Sequence, residues 1–269
     1  MKTLTIFLLS VLLFFLIGSG LGSCTGSDTS SDTTSSEKPV PSLGYSIIST
    51  LPHDTSFYTE GLEFYGNSLL ESAGQYEKSR LIKTDPATGK IEKQVNLEPK
   101  YFGEGISVLH DTLYQMTWRE NIVFVYNAKN FQKIGQLSLK GEGWGMTNDG
   151  TNLIVSNGSN NLYYYRPSTF QVIRELPVTE NGTPALNLNE LEYVNGFIYA
   201  NQWQYNYLLK INPSTGEVVA KIDLSDLVKR VRSDGHSEYL NGIAFNPSTK
   251  KFYVTGKNWP QLFEIQFDR

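Results

Sequence analysis

Short apolar runs alternate with turn-forming clusters along most of this chain, and helical spacing of apolar positions is almost absent, so the pattern predicts strands. One unit of that pattern recurs. Glu60-Gly61-Leu62-Glu63-Phe64, Glu104-Gly105-Ile106-Ser107-Val108, Trp144-Gly145-Met146-Thr147-Asn148, Asn189-Glu190-Leu191-Glu192-Tyr193 and Asn241-Gly242-Ile243-Ala244-Phe245 align, with starts 44, 40, 45 and 52 residues apart. After each come a turn signal and a second apolar run, such as Thr112-Leu113-Tyr114 or Phe197-Ile198-Tyr199. A third run then ends on a turn residue, as in Leu81-Ile82-Lys83 before Asp85-Pro86, and a fourth closes most units, as in Val172 to Leu176.

Four short strands in a unit of about 40–50 residues make one blade of a propeller. The chain is therefore read as all-β, a five-bladed β-propeller. The single candidate helix, Leu224 to Val231, falls in the longest interval and reads as an insertion. The last unit lacks a fourth strand, while Gly44 to Thr50 looks like a fourth strand without a blade. That N-terminal strand is expected to complete the fifth blade, which would close the ring and remove two free sheet edges.

The N-terminal region does not share this pattern. Lys2, the apolar run Ile6 to Ile17 and the small residues before Cys24 read as a signal peptide over residues 1–23. Leu21-Gly22-Ser23-Cys24 resembles a bacterial lipobox, which would make Cys24, the only cysteine, a lipidation site. That places the protein outside the cytoplasm, lipid-anchored to a bacterial cell envelope. Residues 24–42 are rich in Ser, Thr and Asp, lack aromatics and read as a solvated tether. Residues 43–269 form the propeller domain. A net charge of −4 with no basic cluster argues against nucleic acid as a partner. His53, His110 and His236 are isolated, so each reads as a loop residue rather than a metal ligand.

Innermost strands line a propeller's channel, so their first residues form one ring at a rim: Glu60, Glu104, Trp144, Asn189 and Asn241. A hairpin returns the chain to that rim, giving a second ring: Gly74, Trp118, Gly158, Trp203 and Lys257. The flanking glycines and aliphatics keep the repeat, whereas these positions carry acids, amides, tryptophans and a lysine. Polar strand ends that merely meet water, and tryptophans packed between blades, would explain any one of them. Two acids, a lysine and three tryptophans converging on one opening read instead as a site.

On Tyr101-Phe102-Gly103-Glu104-Gly105, Glu142-Gly143-Trp144-Gly145-Met146, Leu188-Asn189-Glu190-Leu191-Glu192, Tyr199-Ala200-Asn201-Gln202-Trp203 and Thr255-Gly256-Lys257, the chain resembles the plant and bacterial type of glutaminyl-peptide cyclotransferase. The likeness runs from Pro52 to Pro260. It implies a five-bladed propeller that cyclises N-terminal glutamine to pyroglutamate and releases ammonia, without a cofactor or catalytic zinc. Its substrates would be peptides and proteins with N-terminal Gln, and it would act as a monomer touching the membrane only through its anchor. Carried over by residue, the resemblance makes Glu104 the catalytic acid, with Asn189 and Lys257 as polar catalytic contacts. Tyr58, Glu60, Phe102, Trp118, Trp144 and Trp203 would bind substrate. One stretch departs: the family's Phe-Thr-Gln-Gly-Leu reads here as Tyr58-Thr59-Glu60-Gly61-Leu62. The chemistry needs a bent substrate, a base for the amine and an acid for ammonia, and one carboxylate desolvated by tryptophan walls suits both transfers. Two other readings stand beside this one: a glycoside hydrolase pairing Glu60 with Glu104, and a non-catalytic propeller that binds peptides or glycans.

Overall fold

A computed structural model describes residues 39–232 and 235–268. The signal peptide, Cys24 and most of the 24–42 tether lie outside the described residues. Among those described, five four-stranded antiparallel sheets follow one another along the chain. The innermost strands of blades one to five are Thr59–Tyr65, Gly103–Leu109, Met146–Asn148, Leu188–Val194 and Leu240–Asn246. Each is followed outward by the next strands in chain order. The fifth blade is completed by Tyr45–Pro52, which pairs antiparallel with Gln261–Phe267, Tyr45 opposite Phe267 and Pro52 opposite Gln261. The expected closure by the N-terminal strand is thus borne out.

Burial follows position in the blade. Innermost strands are almost wholly buried, whereas outer ones such as Ile91–Asn96 are largely exposed. The core is a ring of interblade clusters. Leu70 and Leu81 of blade one meet Ile106, Leu113 and Phe124 of blade two, and Met116 and Val123 then meet Met146 and Leu153 of blade three. The ring closes where Leu62 and Leu69 pack on Ala244, Tyr253 and Leu262 of blade five, with Leu51 of the closing strand against them. A fully buried aliphatic side chain contributes about 1.5–3 kcal/mol, and this cluster adds such burial where the ring closes.

The repeated glycine has a packing reason. A Cβ on Gly61 would sit 2.6 Å from the Ile106 nitrogen, and one on Gly105 would sit 2.5 Å from the Met146 nitrogen. A Cβ on Gly145 would overlap the Asn189 carbonyl. Neighbouring inner strands converge at this level, and only glycine lets their backbones touch. Blade four carries Glu190 there instead. Its buried carboxylate accepts the Leu62 and Ile243 amides at 3.2 and 2.7 Å and so ties blade four to blades one and five.

Helix α1 (Ser225–Arg232) is the insertion anticipated between Leu224 and Val231. Leu227, Val228 and Val231 face the cluster between blades four and five. Asp226 in its first turn and Lys229, Arg230 and Arg232 in its last match the helix dipole. Val40, Pro41 and Ser42, placed in the tether from sequence, run beside blade four, where the Lys221 amide donates to the Pro41 carbonyl at 2.9 Å. His53 lies in a loop, as expected, but its side chain is nearly inaccessible. Its Nδ1 donates to the Trp259 carbonyl at 2.7 Å and its Nε2 lies 3.1 Å from Glu71, which joins blade one to blade five.

Candidate active site

In four blades the register between the first two strands slips at the strand start, between Thr59 and Gly61, Gly103 and Ile106, Leu188 and Leu191, and Leu240 and Ile243. Glu60, Glu104, Asn189 and Asn241 fall within those slips. A bulge leaves a residue out of the ladder and re-aims its side chain, which is how these residues leave the sheet pattern at the rim. In the third blade Trp144 precedes a short inner strand and reaches the same level. The second ring is set by backbone pairs opposite the bulges. The Trp118 amide donates to the Phe102 carbonyl at 3.0 Å, Trp203 to Asn187 at 2.8 Å, and Lys257 to Tyr239 at 2.9 Å.

Together they enclose a cavity of about 260 Å³ lined by Tyr58, Glu60, Phe102, Glu104, Trp118, Trp144, Asn189, Trp203 and Lys257. All nine residues singled out from sequence for catalysis or substrate binding meet there. Asn241 stands behind the wall: its buried amide donates to the Thr59 carbonyl at 2.9 Å and to Glu60 at 3.2 Å. The fourth tryptophan, Trp259, is fully buried against Phe263 and belongs to the core. At 260 Å³ the space lies just below the range of about 300–1,000 Å³ common for ligand pockets, so it admits a small moiety.

The walls are aromatic. Tyr58 meets Phe102 edge-on at 6.4 Å, Phe102 meets Trp118 at 5.6 Å, and Trp144 meets Trp203 at 5.8 Å. The two second-ring glycines make room for them. A Cβ on Gly74 would collide with the Phe102 ring, and one on Gly158, whose φ is +80°, would sit 2.7 Å from Trp144.

The polar groups are buried among these rings. Lys257 Nζ donates to Glu60 Oε1 at 2.6 Å, with both side chains nearly inaccessible, and stands 4.4 Å from the centre of the Tyr58 ring. Burial works against the Lys257 charge, but Glu60, Tyr58 and Glu104 outweigh it and hold the ammonium pKa above its ordinary value. Burial also raises Glu60, and Lys257 opposes that rise. Glu104 is held well above the usual carboxylate range, first by burial and then by the negative charge of Glu60, with Lys257 pulling the other way. The expectation that desolvation raises Glu104 therefore holds. No described side chain hydrogen-bonds its carboxyl. Asn189 is buried, and its Oδ1 has no partner among the described residues.

Sequence reasoning missed Glu142 as a site residue, although it lies in a motif quoted for the resemblance. Its carboxylate accepts from the indole nitrogens of both Trp118 and Trp144, at 2.9 and 3.1 Å. The signal that could have found it is its offset: Glu142 stands two residues before Trp144, as Tyr58 stands before Glu60 and Phe102 before Glu104. Among the described residues, no group of three or more His, Cys, Asp or Glu side chains is arranged to hold a metal ion.

A sequence profile described as glutamine cyclotransferase matches residues 21–267. A glutaminyl-peptide cyclotransferase of Arabidopsis thaliana is 38% identical over 225 residues, covering 82% of this chain and 70% of the relative. The crystal structure of Myxococcus xanthus glutaminyl cyclase superposes with a TM-score of 0.80 at 34% identity, covering 86% of this chain and 99% of that one.

Proposed function

The chain belongs to the glutamine cyclotransferase family and converts N-terminal glutamine of peptides to pyroglutamate with release of ammonia, and we propose that the aromatic cavity is where it does so, with Glu104 as proton shuttle. One observation carries this assignment. Glu104 is a buried carboxyl of raised pKa, free of hydrogen bonds from described side chains, inside an aromatic chamber that also holds the Lys257 ammonium.

The substrate supplies nucleophile and electrophile in one residue, so the enzyme's first task is to hold the bent conformer. Well-oriented intramolecular attack is worth effective molarities of about 10⁵–10⁸ M. The Trp118, Trp144 and Trp203 walls restrict the side chain to that bend. The neutral α-amine attacks the side-chain amide carbon and a C–N bond forms. Glu104 takes a proton from the attacking nitrogen. Burial and the charge of Glu60 raise its pKa well above the ordinary carboxylate range, towards that of an amine, which suits a group that must both take and return a proton. The developing oxyanion meets the Lys257 ammonium, which is held by Glu60, itself held by Asn241. Glu104 then protonates the amide nitrogen, the original C–N bond breaks, and ammonia leaves with the carboxylate restored. The unpaired Oδ1 of Asn189 takes an N–H of the substrate, which orients the amine or amide before attack.

A glycosidase would need two free carboxylates flanking the scissile bond. Glu60 is committed to Lys257 and Asn241, which does not favour that reading. The decisive measurement is ammonia release and product mass from a Gln-initiated peptide. Glu104→Gln should lower turnover by about 10²–10⁴-fold while the protein stays folded; turnover equal to the native enzyme would remove Glu104 from the mechanism. The apolar run Ile6 to Ile17 and the lipobox-like Leu21-Gly22-Ser23-Cys24 support an enzyme lipid-anchored in the cell envelope. A pocket completed by one chain supports a monomer.

A further inference from the structure

The chain of ring contacts around the mouth breaks between Trp118 and Trp144, and a carboxylate stands in that gap. Going round the mouth, ring contacts link Tyr58, Phe102 and Trp118, and then Trp144, Trp203 and Tyr239, the last pair at 6.1 Å. Glu142 sits between Trp118 of blade two and Trp144 of blade three. Both indole N–H groups donate to its Oε2. Its other oxygen, Oε1, accepts from Arg119 Nε at 2.8 Å, and the Arg119 guanidinium lies 3.7 Å from the centre of the Trp118 ring. Trp118 is thus pinned at its edge by Glu142 and on one face by Arg119. The segment carrying Glu142 is itself anchored, since the Gly143 amide donates to the Trp118 carbonyl at 3.0 Å.

We propose that Glu142 is a positioning residue for cyclisation: by accepting from two indoles on adjacent blades, it fixes the separation of the walls that bend the glutamine side chain. The inference rests on the cavity being the active site. The physical reason is the geometry of the donors. An indole has one N–H, and holding both on a single oxygen sets the rotation of both rings about their side-chain bonds. Without that acceptor each ring is free to turn towards water at the rim, and the chamber widens where the substrate must fold on itself. Misplacement of about 1 Å at such a contact is enough for a loss of about a hundredfold. Partial burial works to raise the Glu142 pKa, but the hydrogen bonds from Trp144, Arg119 and Trp118 outweigh it and hold the group below its ordinary value, so the acceptor stays ionised at working pH.

The test compares Glu142→Ala and Glu142→Gln with the native enzyme and with Glu104→Gln, by steady-state kinetics on a Gln-initiated peptide, melting temperature and tryptophan emission. Glu142→Ala should lower kcat/KM by about ten- to a hundredfold, with a raised KM as well as a lowered kcat. Its emission should shift to longer wavelength and quench more readily with acrylamide. Glu142→Gln keeps an acceptor oxygen and should recover most of that loss. A merely structural role would lower the melting temperature and the active fraction while leaving KM unchanged, and that result overturns the proposal. So does equal impairment of the Gln and Ala variants, or native kinetics and emission in both. If Glu104→Gln is itself fully active, the cavity assignment fails. If Glu104→Gln is dead and both Glu142 variants behave as native, the clamp alone fails.

Discussion

Glu60→Gln tests the electrostatics of the cavity more sharply than any other single change, because it removes a charge and keeps the shape. Lys257 Nζ and Glu60 Oε1 are 2.6 Å apart and nearly inaccessible. Their Coulomb attraction is about 6 kcal/mol at an effective dielectric of about 20, much of it offset by desolvation. Removing one charge of a buried pair costs about 3–5 kcal/mol because the other is stranded. Glutamine still offers Lys257 an acceptor, so the lower figure of about 3 kcal/mol applies, which in a domain of this size lowers the melting temperature by about 6–12 °C. The catalytic effect has the opposite sense for Glu104. Glu60 is the leading neighbouring charge that raises its pKa, and Lys257 is the one that lowers it. Taking away the first shifts the balance towards the second, with burial, Glu120 and Glu142 still acting upward. The pKa of Glu104 must therefore fall.

The assay is kcat/KM for ammonia release across pH, which reports the free enzyme. The substrate amine titrates identically in both proteins, so any difference between the two curves belongs to the enzyme. The acid limb of Glu60→Gln should lie at lower pH than that of the native enzyme. An acid limb that stays in place, or moves to higher pH, would refute the coupling of Glu60 to Glu104.

Two further outcomes follow from the same physics. Glu63 accepts the Val108 amide at 2.7 Å, and burial pushes its pKa from 4.5 up to about 8. Between those values the folded state keeps a proton that the unfolded chain releases, so native stability falls as pH rises through that window; Glu63→Gln should remove this slope and raise the melting temperature near pH 8, and parallel curves would show that Glu63 is ionised in the fold. For the N-terminal region, Cys24→Ser should move the protein from the detergent phase to the aqueous phase in a detergent-partitioning assay, where it should sediment as a monomer, whereas unchanged partitioning would exclude lipidation at that position.

The blade count was legible in the sequence because strand alternation and turn residues are local, and a local pattern repeated five times leaves few architectures. The closing strand was legible too, since an unpaired strand at each end of a ring has one partner available. Glu104, Asn189, Lys257 and the three wall tryptophans could be found because equal positions in equivalent blades must lie at one rim. Three features needed the tertiary structure. The bulges at the inner strand starts have no sequence signature of their own, yet they turn Glu60, Glu104 and Asn189 into the cavity. The Glu60–Lys257 pair joins residues 197 apart, brought together only when blade five closes on blade one. Glu142 holds the same offset before its ring position as Tyr58 and Phe102 do, but the reach of its carboxylate to Trp118 and Trp144 depends on how two blades face each other. Periodicity fixes where a strand begins; the distance between side chains on different blades is set by ring closure and packing, which no local stretch of sequence encodes.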